Sequence, residues 1–403
     1  MKHPTIIRTV IILAGTLAFA WLIPALAKLA TTAPQRYPFV YYSSLAEQFC
    51  LSSDGVRSDA SGRTYTEAQF DSVMPMLYYR QLSATGALPD SVRGRAVAVP
   101  DIKTSSLSIR IHAKETSTPG VGLYIMYESM PRRVNLESPG DVFRLKDTIE
   151  FIDAATNTVL EEKSARFAAE LAKRGYRYPA QWSHGIMTHR KAYDEGYFSL
   201  DAAGELYHIK MVNNRPFVRN TRAASDSLAP VHFAMTPVAD RRFYGVLFDA
   251  AGAVYILETP HYRLRKLDIP PVDIASDEVL IMGNMFFWTV SIMTPEGRRY
   301  YALDNDSLQR VDELYIAAAP DLWRTCSAWL FPAYLTFESR SSSYLAPAWH
   351  GTAWTGFAGH LAAAALFAAF ARRRRKSAWL HSAYILITGV AGLIAVLLTP
   401  SGR

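Results

Sequence analysis

Three stretches of this chain, Thr9–Ala27, His350–Ala371 and Ala378–Pro400, are apolar and carry no Lys, Arg, Asp or Glu. A helix of about 20 apolar residues crosses a hydrocarbon core of about 30 Å, so each stretch predicts a transmembrane helix. Between the first and second the pattern changes. Short apolar runs alternate with polar positions and are punctuated by Asp, Gly, Pro and Asn, the signature of half-buried strands and tight turns. One unit returns four times: Phe151–Val159, Ser199–Tyr207, Leu247–Tyr255 and, more loosely, Ile292–Tyr300. Each reads strand, turn, strand. Asp153, Asp201 and Asp249 start three of the turns, where a carboxylate accepts from its own downstream backbone. Gly204, Gly252 and Gly297 supply the left-handed residue, a role Asn157 fills in the first copy. The turns begin at 153, 201, 249 and 294, in steps of 48, 48 and 45 residues. A period of 40–50 residues with several strands per unit is that of propeller blades. An earlier hairpin, Asp59–Tyr65, fits the same series.

Two helical insertions interrupt this pattern. Thr66-Glu67-Ala68-Gln69 is a capping box, with Phe70, Val73 and Leu77 on one face and Pro75 limiting or kinking the helix. The second runs from Ser164 through Phe167 and Leu171 to Gly175 as a C-terminal cap. The expected fold is therefore mainly β. A propeller-like domain over residues 30–345 carries two short helical insertions. An N-terminal membrane anchor spans 1–29, and a transmembrane hairpin spans 346–403. Ala25-Leu26-Ala27 also fits a signal-peptidase site. The longer apolar run favours an uncleaved anchor.

Charge changes the picture through its location. The net charge is +7. Nine of the 43 cations lie in the acid-free terminal segments, leaving 34 against all 36 acids in the middle. The basicity therefore marks topology and predicts no nucleic-acid partner. Arg372, Arg373, Arg374, Arg375 and Lys376 form one run between the last two apolar stretches. Short cationic loops stay cytoplasmic. Lys2 and Arg8 likewise hold the N-terminus inside. Both signals place residues 30–345 on the extracytoplasmic side of an inner, cytoplasmic membrane.

Candidate chemistry is sparse. There is no phosphate loop, nucleophile elbow or paired Cys-x-x-Cys. His184 and His189, five residues apart, point away from each other on a helix or strand, and no third ligand accompanies them. The expectation is no metal, no cofactor and no catalytic residue. Asp304–Ser307 lacks the glycine and terminal glutamate of a calcium loop and reads as a turn. Arg263 and Arg265 share a strand face, either as a contact for an acidic partner or as a protected edge. Cys50 and Cys326 pair or remain separate thiols; their spacing decides neither. Leu322–Phe337 is too short to span and reads as a last β element or an interfacial shelf, with Trp323, Trp329, Trp349 and Trp354 near the boundary. His360 and His381 are polar groups inside the spans, either functional or bonding helix to helix. Gly359 and Gly392 sit in small-residue stripes that suit helix docking.

The arrangement of one anchor, a β-rich outer domain and a terminal hairpin is similar to an uncharacterised membrane-protein family of Bacteroides-type bacteria (Bacteroidota). The local matches are Phe70–Leu82, Leu88-Pro89-Asp90-Ser91 and Tyr244–Asp249. The resemblance implies genes beside ABC-type exporters, hence ABC-type permease and ATPase subunits as partners. It has no established activity, and no functional residue carries over from it. The expected function is a non-catalytic, membrane-anchored accessory subunit whose outer domain binds a partner or substrate of an export complex. The alternatives are an extracytoplasmic sensor, which the minimal cytoplasmic segments disfavour, and a membrane-anchored propeller hydrolase or lyase.

Overall fold

The computed structural model of the chain describes residues 4–32, 35–113, 122–133, 135–223, 228–337, 347–371 and 378–399. It divides into two compact units, one formed by residues 1–36 with 318–403 and the other by 37–317. Residues 318–345 of the expected outer domain, like 30–36, thus belong with the apolar helices. The basic run Arg372–Lys376 lies outside the described residues.

The first unit begins with α1 (Pro4–Thr31). The chain then enters the second unit with a three-stranded sheet, β1 (Phe39–Tyr42), β2 (Phe49–Ser53) and β3 (Val56–Asp59). The capping box follows as expected. Gln69 N donates to the Thr66 hydroxyl at 3.4 Å, and Thr66 N donates to Gln69 Oε1 at 3.0 Å. It starts α2 (Glu67–Val73), and Pro75, at the first turn where its missing N–H costs nothing, starts α3 (Pro75–Ala84). The short pair β4 (Ser91–Val92) and β5 (Arg95–Ala96) leads to α4 (Val99–Ser105), begun by Val99-Pro100, and to β6 (Leu107–Ile111).

Next come the hairpin β7 (Asp141–Leu145) and β8 (Ile149–Asp153) and the amphipathic helix α5 (Glu161–Lys173), which buries Phe167 and Leu171. Three antiparallel meanders follow. The first runs β9 (Trp182–Gly185), β10 (Tyr197–Leu200), β11 (Leu206–Val212) and β12 (Arg215–Asn220). The second is β13 (Pro230–Met235), β14 (Phe243–Asp249), β15 (Val254–Glu258) and β16 (Leu264–Lys266). The third is β17 (Glu278–Gly283), β18 (Phe287–Thr294), β19 (Gly297–Asp304) and β20 (Arg310–Ala317), with β6 added beside β17.

The recurring turns take equivalent places in these three sheets. Those beginning at 201, 249 and 294 each join the second strand to the third. The turn at Asp153 follows β8 and leads to the bridge Ile152↔Val159. Buried apolar clusters join sheet to sheet. One lies between β7–β8, α5 and the first meander; a second joins the first and second meanders. A third joins the second and third meanders, and a fourth joins the third to the N-terminal sheet. Among the described residues no such cluster joins the N-terminal sheet to β7–β8, and the strand pairing establishes a sheet-rich mixed fold. Strand β14 is buried along its whole length, which explains its unbroken run Phe243–Phe248.

Back in the first unit, the segment read as a β element or shelf forms α6 (Leu322–Leu330), capped by Asp321 through Trp323 N at 3.0 Å, followed by β21 (Ala333–Thr336) paired with β22 (Ala348–Gly351). A 3-10 turn at Trp354–Gly356 enters α7 (Phe357–Ala371), and α8 (Ala378–Leu398) ends the unit. Among the described residues three helical segments, Ile6–Thr31, Trp354–Ala371 and Ala378–Leu398, are long and apolar enough to cross a membrane. Helix α8 packs on both α1 and α7. Thr16 and Tyr384 share a hydroxyl hydrogen bond of 2.7 Å across the α1/α8 contact. Cys50 and Cys326 are both free thiols.

Candidate functional site

The Asp turns account for most of the carboxylates singled out in the sequence, and they are structural. Asp59, Asp201 and Asp249 share one geometry. In each, Oδ1 accepts from the backbone N–H two and four residues on, at 2.8–3.0 Å. In each the glycine three residues on (Gly62, Gly204, Gly252) has φ between 80° and 90°. Asp153 and Asp304 form a longer variant, accepting from the second and third residues on, with Asn157 and Leu308 left-handed. Gly297, at the β18–β19 turn, has φ 158°, close to extended backbone. Arg263, just before the edge strand β16, and Arg265 within it both pair with Glu258, at 2.9 and 3.2 Å, so their charge is partly offset locally.

One group of buried polar side chains outside these turns lies around the adjoining first strands of two meanders, β9 and β13. Alternation along β9 sends Trp182 and His184 to one face, while Ser183 joins Ser199 and Tyr176 on the other. Strand β13 presents His232 to the first face. The His184 and His232 rings meet edge to face with centroids 4.5 Å apart, and the Trp182 ring lies 4.9 Å from His184. His184 therefore meets His232, while His189 is exposed in the following loop. Neither His184 nor His232 has a hydrogen bond among the described residues, and the buried Trp182 Nε1 has no acceptor. Burial holds the His184 pKa down at about 3, with the neighbouring His232 adding to the effect, and burial alone holds His232 at about 4. Both rings are neutral at physiological pH. No carboxylate contributes to either shift.

His208 on β11 is the contrasting case. It is fully buried and stacked on Phe198 at 4.4 Å. Its Nε2 lies 2.6 Å from the Glu195 carbonyl and its Nδ1 2.9 Å from the Tyr262 hydroxyl. A carbonyl only accepts, so Nε2 carries the proton and Nδ1 accepts from Tyr262. Both nitrogens are committed. The β9–β10 loop holds a second saturated device, the Lys191–Asp194 ion pair, whose side chains are 2 % and 0 % exposed. Asp194 Oδ2 also accepts from Ser129 Oγ at 2.6 Å and Gly196 N at 2.9 Å, and Lys191 Nζ sits 4.5 Å from the Tyr127 ring centroid. This pair pins the loop.

An open cleft of about 460 Å³ is lined by Glu128, Arg132, Arg133, Asn213 and Asn214, but Glu128 is occupied by the N–H groups of both asparagines at 2.8 Å. Among the described residues no three His, Cys, Asp or Glu side chains form a metal-binding group. In the apolar unit, His360 donates toward the Leu386 carbonyl at 3.2 Å, where α8 breaks at Gly389 with φ 63°. Gly359 fits closely against Trp329 and Leu330 of α6, and a Cβ on Gly392 would meet Thr388 one turn back in its own helix. Both glycines are taken up by contacts within the chain.

His232 and His208 were not singled out from sequence. They sit in ordinary apolar strands, and only the pairing of distant segments brings them to this seam.

The family model described as Domain of unknown function (DUF4857) matches residues 39–303. No curated protein matches the sequence. Among solved structures, the chain is similar to one described as "Dihydro-heme d1 dehydrogenase NirN in complex with DHE", with 10% identity, 71% of this chain and 84% of that chain covered, and a TM-score of 0.20. A score that low supports no inference about fold or chemistry.

Proposed function

We propose, from the premise that this chain belongs to the DUF4857 family, that it is a membrane-anchored, non-catalytic accessory subunit of an ABC-type export complex, its sheet-rich unit binding a partner or substrate on the extracytoplasmic side of the inner membrane. The observation that carries this reading is the contrast between committed and uncommitted polar groups. Outside the β9/β13 seam, Asp201 and Asp249 are tied up in turns, Lys191 and Asp194 in an ion pair, and His208 in a two-ended hydrogen bond. At the seam the Trp182 indole N–H is buried without an acceptor, beside the neutral rings of His184 and His232. That is equipment for holding a ligand. General-base catalysis at neutral pH calls for a pKa near 7, well above those of His184 and His232. The three apolar helices supply the anchor. The ABC-type partner comes from the sequence resemblance.

The same proposal extends to architecture. Sheets linked one to the next by buried clusters, with turns about 48 residues apart, support a propeller-like arrangement. The test of function is purification of the native chain from its membrane in mild detergent. Permease and ATPase subunits are expected to co-purify in fixed ratio. A chain that elutes alone, or with soluble partners only, overturns the reading.

A further inference from the structure

The apolar helix α8 breaks at Gly389, and contacts on either side of the break fix the direction of each half. Helix α1 sets the reference. Trp21, in its later half, meets the Phe337 ring with centroids 5.6 Å apart, and α1 also packs on α6. Gly359, near the start of α7, lies against Trp329 and Leu330 of the same α6. Helix α7 therefore starts beside the far end of α1 and runs back antiparallel to it. The first half of α8 reverses direction again. The His381 ring lies 6.1 Å from that of Phe367, and further on the Leu386 carbonyl meets His360. This half is antiparallel to α7, hence parallel to α1. A straight helix would keep that direction to Leu398. The second half does the opposite. A Cβ on Gly15 would lie 3.6 Å from that of Ala395, and Arg8 Nη2 reaches the Thr399 carbonyl at 3.5 Å. The path from 395 to 399 thus follows α1 backwards, from 15 to 8. Two more contacts exclude a straight α8. The Tyr384 hydroxyl bonds Thr16, the neighbour of Gly15, although 384 and 395 would stand about 16 Å apart along a straight helix. A Cβ on Gly392 would also come within 3.2 Å of the Tyr384 ring, which lies about 12 Å back along a straight helix.

We propose that Ala378–Leu398 is a re-entrant helical hairpin that enters and leaves the membrane on one face, so that the chain crosses the bilayer with α1 and α7 only. The lengths agree. Residues 378–388 and 390–398 rise about 16 Å and about 13 Å, each close to half of a hydrocarbon core of about 30 Å. Irregular backbone at that depth is tolerated only where protein covers it. Gly389 is buried, and His360 bonds the adjoining Leu386 carbonyl. The two halves close on small residues: Gly389, Ala391, Gly392 and Ala395 are all buried, and such residues let helix backbones approach. The stretch expected to form the second arm of a transmembrane hairpin thus returns to the side of Arg372–Lys376. This goes beyond the accessory-subunit reading and rests only on α1 and α7 crossing the membrane.

The test uses the full-length chain in its membrane, with Cys326→Ser so that the buried Cys50 is the remaining native thiol. Single cysteines are introduced as Ala319→Cys, Ser377→Cys and Ser401→Cys and labelled with a membrane-impermeant maleimide before and after the cells are opened. Ser377→Cys and Ser401→Cys should fall on the same side and Ala319→Cys on the other. If Ser401→Cys instead labels with Ala319→Cys, α8 crosses the membrane and the proposal is overturned. Comparing sides makes the result independent of which face is cytoplasmic, and of whether transporter subunits co-purify. A second measurement covers a label that disturbs the C-terminal segment. In the same background, Arg8→Cys with Thr399→Cys should be joined by a short bifunctional thiol reagent. A crossing α8 would hold those two positions at opposite faces, about 30 Å apart, and no cross-link would form.

Discussion

Single residues carry most of what the sequence made legible. An Asp turn is a local object: the carboxylate, the backbone it caps and the glycine behind it lie within five residues, so Asp201, Gly204, Asp249 and Gly252 could be read without any tertiary knowledge. Yet their surroundings differ. Gly204, at φ 80°, has open space where a Cβ would go, whereas a Cβ on Gly252 would meet the Val272 carbonyl at 2.8 Å. Gly204→Ala should therefore cost about 1 kcal/mol, the left-handed backbone term alone. Gly252→Ala should cost at least about 2 kcal/mol, because the clash adds to it. Denaturant melts of the two variants check this, and equal losses would mean that the packing of Gly252 on Val272 does not hold in solution. His208 shows the opposite limit of legibility, since only the assembled core reveals its burial. Burial, with Lys210 and Arg219 adding to it against the Glu195 carbonyl, pushes its pKa down to about 3. The unfolded chain takes up this proton near pH 6.5, the folded chain only near 3. Stability is therefore whole above pH 6.5 and falls as the pH drops toward 3, by roughly 2–3 kcal/mol between pH 7.5 and 4.5 from this group. His208→Gln should lose that share of the pH dependence. An unchanged slope in the variant would show that His208 is not buried neutral.

At the scale of elements, periodicity found the strands, the capped helix and the three apolar helices, because each writes its pattern within one short window. It did not find α4 or α6. In α6 the buried positions are Trp323 and Ser327, and a serine on the buried face hides the stripe. The break in α8 was equally hidden, because Gly389 reads as one more small residue in an apolar helix. In the structure it opens the helix, and His360 of α7 fills the gap toward the Leu386 carbonyl, satisfying backbone that lipid would not. A Cβ on Gly389 would run into His360 Nε2. Gly389→Ala should lower the thermal midpoint of the full chain in detergent. The same substitution should do less damage in a His360→Ala background, where the ring is gone. Strictly additive effects would show that the two residues do not meet.

For the whole molecule, the charge distribution carries a prediction that packing does not reach. The sheet-rich unit is close to neutral, and the surplus of cations sits at the ends of the apolar stretches. The proposal that this unit is extracytoplasmic rests on those cations, and a role in an export complex requires that it face outward. The seam itself was illegible because its rings come from positions 182, 184 and 232, which no local window joins. The most direct measurement is therefore a pair of reporter fusions, using an enzyme active only outside the cytoplasm, joined after Leu345 or at Ser377. The account predicts activity after Leu345 and silence at Ser377. The reverse pattern would put the sheet-rich unit in the cytoplasm and contradict the account.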